Sequence, residues 1–162
     1  MKGIKTLVSA TAIAVCLGAA SMANAATIVP EGGFTTSAGT IVVKSPSSFG
    51  APVTCGITFS GNVSGGVATI TGASLTGGGL CGLPKLKNIP SPGWVLTAND
   101  LTNGTVTNVG FTVAFPASNC GASTIAVKWD PATKTISANN QALSGNCSVD
   151  SLAVQAPGLS VQ

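Results

Sequence analysis

The sequence predicts an all-β fold, an antiparallel β-sandwich or jelly-roll-like single domain with two disulfides. Three observations predict it. Several short runs alternate large apolar residues with small or polar ones, which is the periodicity of a half-buried strand. Beyond residue 25, glycine, proline and β-branched residues are too dense for a long helix. Four cysteines lie in that same part of the chain, an even number that favours disulfides.

The first predicted element is an export signal over residues 1–25. Lys2 and Lys5 give it a positively charged start, residues 6–20 are uncharged and mostly apolar, and it ends in Ala-Asn-Ala, the small residues that a signal peptidase needs. The apolar run is shorter than the ~20 residues of a membrane-spanning helix. We therefore predict cleavage before Ala26, no membrane span and a secreted, extracellular protein, with periplasmic or cell-surface retention left open.

Residues 26–162 form the predicted secreted β domain. The clearest strands are residues 53–60, 109–115 and 124–129, where every second residue is large and apolar. The less regular candidates are residues 40–44, 67–71, 94–98 and 134–138. Asp-Pro-Ala-Thr at residues 130–133 predicts the turn of a hairpin.

The cysteines also indicate an internal repeat. A shift of 65 residues superposes Cys55 on Cys120 and, after a one-residue insertion, Cys81 on Cys147. This predicts a degenerate tandem duplication with half-repeats of about 34–98 and 99–162, although a chain rich in glycine, serine and threonine also matches itself by chance. If the duplication holds, each half closes its own disulfide, Cys55–Cys81 and Cys120–Cys147. The cysteine count alone leaves three pairings open.

The composition excludes most enzyme chemistry. Only 7% of the residues are charged, against roughly 25% in an ordinary soluble domain. There is no histidine, so a Ser-His-Asp triad, a Cys-His dyad and a histidine metal site are all excluded. The carboxylates are placed in the N-terminal tail (Glu31) or at turn-like positions (Asp100, Asp130 and Asp150). We therefore predict that the protein is not an enzyme, with no catalytic residue, no metal site and no cofactor.

The charge balance excludes another group of partners. The whole chain has a net charge of +3, but without the predicted leader five lysines face four acids, a net charge of +1. The lysines are scattered, so the chain lacks the basic patch that binds nucleic acid. No nucleic-acid partner is expected.

Residues 83–94 form the most distinctive segment, in which two lysines and three prolines interleave with large apolar residues. The prolines keep the segment out of a central strand, and the lysine stems extend its apolar surface. As a loop, the segment could present its apolar side chains to an apolar interface. The candidate contacts are Leu83, Leu86, Ile89 and Trp94. The interpretation favoured by the residues alone is that these side chains pack against the edge of the domain.

Three short segments carry a family resemblance. Cys-Gly-Ile-Thr-Phe-Ser-Gly at residues 55–61, Ala-Thr-Ile-Thr-Gly-Ala-Ser-Leu at 68–75 and Leu-Cys-Gly-Leu-Pro at 80–84 follow the leader and resemble the PraA/PraB family. These are small secreted proteins of pseudomonads, known as activators of alkane oxidation. The resemblance covers nearly the whole chain. It implies an extracellular, non-enzymatic factor that promotes growth on long-chain hydrocarbon by helping to disperse it, and it supplies no catalytic residue.

A second class of function fits the same residues. An exported all-β chain with two disulfides also suits a fimbrial or biofilm-matrix subunit or a surface adhesin. Strand edges poor in charge would then allow self-association. Against a chaperone–usher pilin, the penultimate residue is Val161 rather than an aromatic residue.

Overall fold

The computed structural model describes residues 25–162, and the predicted leader lies outside the described residues except for its last residue. The all-β class is confirmed, and the structure adds two one-turn 3-10 helices at Pro46–Ser48 and Gly79–Gly82. The strands are β1 (Ile28–Val29), β2 (Gly32–Thr35), β3 (Gly39–Lys44), β4 (Val53–Ser64), β5 (Val67–Thr76), β6 (Lys85–Leu86), β7 (Trp94–Ala98), β8 (Asn103–Val113), β9 (Ser118–Asp130), β10 (Thr135–Leu143), β11 (Cys147–Gln155) and β12 (Ser160–Val161).

Eight antiparallel strands pair in a closed ring. The order is β3-β4-β5-β7-β8-β9-β10-β11, which is also the order of these strands along the chain. The last strand, β11, pairs with the first, β3, and this closes the ring. The short strands β2 and β6 extend this ring: β2 pairs with β4 beyond the stretch that β3 uses, and β6 pairs with β8 beyond the stretch that β7 uses. The fold is therefore an up-and-down barrel rather than the predicted sandwich or jelly-roll. The alternation of apolar residues shows that a strand has one buried face, but it cannot show whether the first and last strands pair.

Two glycines lie where the backbone must approach a neighbouring strand closely. Gly61 follows the irregularity in the β4–β5 register, and a Cβ there would meet the carbonyl oxygen of Thr69. Gly39 lies at the closing pair of strands, and a Cβ there would meet the backbone of Ala153 in β11. Glycine inside a strand commonly marks a bulge or a barrel corner. These two positions thus help the sheet to curve and close.

The two ends of the barrel differ. We call the end that carries residues 45–52, 77–84, 114–117 and 144–146 the upper end, and the opposite one the lower end. At the lower end the two termini of the described chain form the β1–β12 pair. They plug this end with apolar side chains that are at most 4% exposed, namely Ile28, Ala156 and Leu159.

A turn at the lower end is held by a carboxylate. Asp100 accepts hydrogen bonds from the side-chain amide of Asn103 and from the backbone N–H groups of Thr102 and Asn103. The Asn103 amide contributes most, and together these donors lower the pKa of Asp100 to about 2. This carboxylate therefore stays ionised and keeps the lower end polar at neutral pH.

Both disulfides lie at the upper end. Cys55 near the start of β4 bonds to Cys81 in the loop above it, and Cys120 near the start of β9 bonds to Cys147 at the start of β11. This is the pairing expected if each half of the chain closes its own disulfide. The tandem duplication itself stays a prediction.

Candidate functional site

The interior of the barrel contains an apolar cavity. Its volume is about 70 Å³, well above the ~10–15 Å³ that a single water needs. Three serines line the wall, and the indole N–H of Trp94 is already bonded to the Lys87 carbonyl; the other lining side chains are apolar, so the space suits an apolar group. Large lining residues include Ile57, Phe59, Ile70, Trp94, Leu96, Phe111, Ile125, Val127, Ile136 and Leu152.

The cavity reaches the surface at the upper end. Leu80 and Leu83 both line it and are also solvent-exposed, at 42% and 45%. They flank Cys81, whose disulfide to Cys55 fixes this loop to the barrel wall. A side chain that is both exposed and part of the cavity wall marks the mouth. The mouth is therefore made by a loop that a covalent bond holds in place.

Four exposed apolar side chains lie in the upper loops, two of them at this mouth. We call the four the apolar rim: Phe49, Leu80, Leu83 and Phe115. The two phenylalanines are 90% and 85% exposed. Their loops are adjacent, because the backbone N–H of Ser47 donates a 2.7 Å hydrogen bond to the side chain of Ser118. Single exposed apolar residues are ordinary on a protein surface, but a group at one end marks an interaction surface. Leu101, at 59%, is the other large apolar side chain exposed among residues 25–162, and it lies at the lower end.

Three of the four carboxylates lie at the lower end of the barrel, away from the apolar rim. Glu31 accepts hydrogen bonds from two backbone N–H groups of the β4–β5 turn, and Asp100 and Asp130 lie in other lower turns. Asp150 is 2.7 Å from the Lys44 ammonium, whose hydrogen bond lowers the pKa of this carboxyl group. The upper loops that carry the apolar rim thus contain no charged residue, whereas the lower end carries Glu31, Asp100 and Asp130 together with Lys128 and Lys134.

Two sequence interpretations of these carboxylates were wrong. Glu31 is not part of a loose tail, because the turn between β4 and β5 binds it. Asp150 lies within β11 rather than in a turn. The residues around it, Ser-Val-Asp-Ser, are small and polar, and the alternation of buried residues in this strand is interrupted by the register shift next to Asp150.

The structure separates the four predicted interface residues. Leu83 belongs to the apolar rim, and Leu86 is half-buried in β6 and lines the cavity. Trp94 is only 5% exposed; it lines the cavity, and its Nε1 donates a 2.8 Å hydrogen bond to the carbonyl of Lys87. Ile89 is half-buried against the core. The segment pairs with β8 and leads into β7, so most of it packs onto the barrel instead of standing out as a loop.

Sequence reasoning missed the two most exposed apolar residues. Phe115 stood at the end of an alternating run, where the pattern predicts a buried side chain, but β8 ends at Val113. Pro116, which lacks a backbone N–H, follows it and prevents the strand from continuing. Phe49 precedes Gly50 in the loop after the first 3-10 helix. An isolated phenylalanine followed directly by proline or glycine was the available signal for both.

A serine group lies in the upper wall of the cavity. Ser45 and Ser47 are more than nine-tenths buried and both line the cavity. Their hydroxyl oxygens are 2.7 Å apart. Ser48 also lines the cavity, and its hydroxyl donates to the carbonyl of Ala51 in the same loop, at 2.7 Å. These hydroxyls are the polar groups of an otherwise apolar space.

Two further observations concern residues 25–162. No three acidic or cysteine side chains in this range are close enough together to hold a metal ion. Over the same residues, a helix with the length and apolarity needed to cross a membrane is absent.

Comparison with known proteins identifies the family. The family model described as alkane oxidation protein activator PraA/PraB-like matches residues 1–162, the whole chain. No curated protein and no solved structure is significantly similar to the chain. The resemblance seen in the short segments between residues 55 and 84 is thus confirmed over the full length. The chain belongs to the PraA/PraB-like family of alkane oxidation protein activators.

Proposed function

We propose that this protein is an exported, non-enzymatic factor that promotes alkane utilisation by adsorbing to hydrocarbon through the apolar rim. One observation carries the proposal. Four of the five large apolar side chains exposed among residues 25–162 lie at the same end of the barrel, the end at which an apolar cavity opens. The family name supplies the link to alkane oxidation.

The magnitudes support adsorption. Moving a fully exposed large apolar side chain from water to an apolar phase contributes about 1.5–3 kcal/mol. Because the two leucines expose less than half of their surface, transfer of the rim would contribute roughly 4–8 kcal/mol. Loss of rotational and translational freedom opposes this gain by a comparable amount. Adsorption is therefore expected to be favourable but reversible, as suits a factor that disperses oil.

The charges support one orientation at the oil surface. With the rim in hydrocarbon, Glu31, Asp100 and Asp130 stay in water at the lower end, where each keeps its hydrogen bonds. A net charge near +1 for the chain without its leader limits repulsion between neighbouring adsorbed molecules. The polarity of the barrel thus matches an oil–water boundary.

The chemistry of the chain supports export and a role without catalysis. Two disulfides are typical of proteins in oxidising compartments outside the cytoplasm. The four carboxylates hold turns or an ion pair, and the chain has no histidine. The work we assign to the protein is adsorption, which requires neither a cofactor nor a nucleophile.

The alternative of a fimbrial or matrix subunit has weaker support than adsorption. It depended on long strand edges that could pair with another chain. In the closed ring each of the eight main strands has a neighbour on both sides, and the two additional strands, β2 and β6, have only four and two residues. We therefore favour adsorption through side chains over assembly through strand edges.

An emulsification assay tests the proposal. Purified protein of residues 26–162 is expected to slow the separation of hexadecane dispersed in buffer, because adsorbed molecules would keep the droplets apart. Turbidity over time measures the effect, with a small neutral β protein at equal concentration as the control. Separation at the control rate would contradict the proposal.

A further inference from the structure

The cavity runs along much of the barrel interior. Its wall begins at Leu83 in an upper loop and includes Ile136 near the start of β10 and Val154 near the end of β11, both close to the lower end. The volume within this long wall is only about 70 Å³. A small volume shared by wall residues so far apart is elongated and narrow rather than round. The cavity therefore has the shape of a thin, extended molecule.

The wall of the cavity carries no charge. Its polar side chains are those of Trp94 and three serines, and all four already hydrogen-bond within the protein. A buried water needs two to four polar partners, which the apolar remainder of the wall does not provide. Voids of this size are few in close-packed interiors, and an eight-stranded barrel is either filled by side chains or holds one small ligand. The cavity therefore favours a ligand without polar groups.

The mouth of the cavity lies at the end that meets hydrocarbon in the proposed function. Leu80 and Leu83 belong both to the apolar rim and to the cavity wall. At the lower end, the β1–β12 pair and the buried side chains of Ile28 and Leu159 close the barrel. A ligand thus enters from above, and a chain too long for the cavity leaves its remainder outside the mouth.

We propose that the cavity takes up the end of one unbranched alkane chain, methyl group first, while the rest of the chain stays in the oil. The inference rests on the proposed function, because the adsorbed rim brings the mouth to the oil surface. The terminal methyl and methylene groups match a wall that has no free polar side chain. The volume of about 70 Å³ limits the inserted part to a short segment.

The cavity makes a distinction that the apolar rim cannot make. Hydrophobic adsorption depends on the apolar area removed from water and has no directional preference, so the rim contacts any apolar liquid equally well. A narrow space inside a packed barrel excludes a branched hydrocarbon, since extra width forces the wall side chains out of their places. Uptake of a chain end therefore makes the protein selective for linear hydrocarbon.

An NMR titration of residues 26–162 with n-pentane and 2,2-dimethylpropane tests the inference. The two probes are isomers that differ in width, and both are dissolved in buffer without droplets. We expect n-pentane to shift the signals of inward-facing residues such as Leu96 and Ile136, with a dissociation constant about tenfold lower than that of the branched isomer. Crowding of a packed wall gives a preference of this size. Equal affinity for the two isomers, shifts confined to the apolar rim, or no binding of n-pentane would overturn the inference.

Two phenylalanine variants extend the test. Val106→Phe is expected to abolish n-pentane binding, because Val106 is buried in the cavity wall and the larger side chain fills the space. Val95→Phe is the matched control, since Val95 lies between the inward-facing Trp94 and Leu96 and therefore faces outward. It should bind n-pentane as the unchanged protein does. Unchanged binding by Val106→Phe would overturn the inference, and if that variant does not fold, the two isomers on the unchanged protein decide alone.

Failure of this inference and failure of the proposed function give different results. The titration contains no oil surface, so it does not depend on adsorption through the apolar rim. Normal emulsification of hexadecane without n-pentane binding would overturn the cavity inference alone. Binding of n-pentane together with separation of hexadecane at the control rate would contradict the proposed function and leave the cavity as a binding site for linear chains.

Discussion

Replacing both rim phenylalanines by serine, Phe49→Ser with Phe115→Ser, is expected to lower the partition of the protein onto hexadecane droplets by about a hundredfold or more. Each phenylalanine contributes about 1.5–3 kcal/mol when it leaves water, and the two contributions add because both side chains point away from the core. Depletion of protein from the aqueous phase measures the partition. The melting temperature should hardly change, because side chains that are 90% and 85% exposed support little of the fold.

Leu101→Ser is the matched control for this variant. Leu101 is also a large apolar residue, 59% exposed, but it lies at the lower end of the barrel beside Asp100. Its replacement should leave the partition unchanged within about twofold. If Leu101→Ser weakens partition as much as the double phenylalanine variant does, adsorption is a general property of the surface and the rim has no special part in it.

Removal of the disulfide at the mouth is expected to lower the stability of the protein strongly. The variant Cys55→Ser with Cys81→Ser opens a loop with a sequence separation of 26 residues. The chain-entropy estimate for such a loop is about 3.5 kcal/mol, a large part of the 5–15 kcal/mol by which domains of this size are stable. Urea unfolding followed by tryptophan fluorescence measures the loss in free energy of unfolding.

The second disulfide provides the comparison that separates stability from function. Cys120→Ser with Cys147→Ser opens a loop of similar length, with a separation of 27 residues, and should cost about the same stability. The Cys120–Cys147 disulfide does not anchor the loop that carries Leu80 and Leu83. At urea concentrations below the unfolding transition, the Cys55/Cys81 variant should therefore adsorb less to hexadecane droplets than the Cys120/Cys147 variant. Equal adsorption by the two variants would show that the anchored mouth is not needed.

Much of the fold could be predicted from the sequence because the alternating pattern that indicates a strand lies within the strand itself. Alternation over residues 53–60 identified the buried face of β4, and Cys55, Ile57 and Phe59 are all at most 5% exposed. The disulfide pairing followed from the superposition of the two cysteine pairs. Closure of the barrel did not follow, because β11 pairs with β3 across more than 100 residues of chain and no local pattern records such a partner.

The candidate site was harder to predict than the fold. The sequence indicated an apolar region around Leu83. It could not show on which side of the barrel wall Trp94 lies, because that depends on strand register. The proline-rich segment before Trp94 has no alternating pattern from which the register could be predicted. Phe49 and Phe115 come to the same end of the barrel only because their loops meet there, through the hydrogen bond between Ser47 and Ser118. The sequence also could not place Ser45 and Ser47 in the cavity wall, since serine in a loop is ordinary until the cavity beside it is known.

Hydrogen–deuterium exchange of the protein bound to hexadecane droplets tests the central claim most directly. Adsorption through the apolar rim predicts slower exchange in residues 45–52, 77–84 and 114–117 than in the free protein, and unchanged exchange in the lower turn at residues 99–102. Protection of the lower turn, or equal protection of both ends, would contradict the claim that the upper end of the barrel is the surface that meets hydrocarbon.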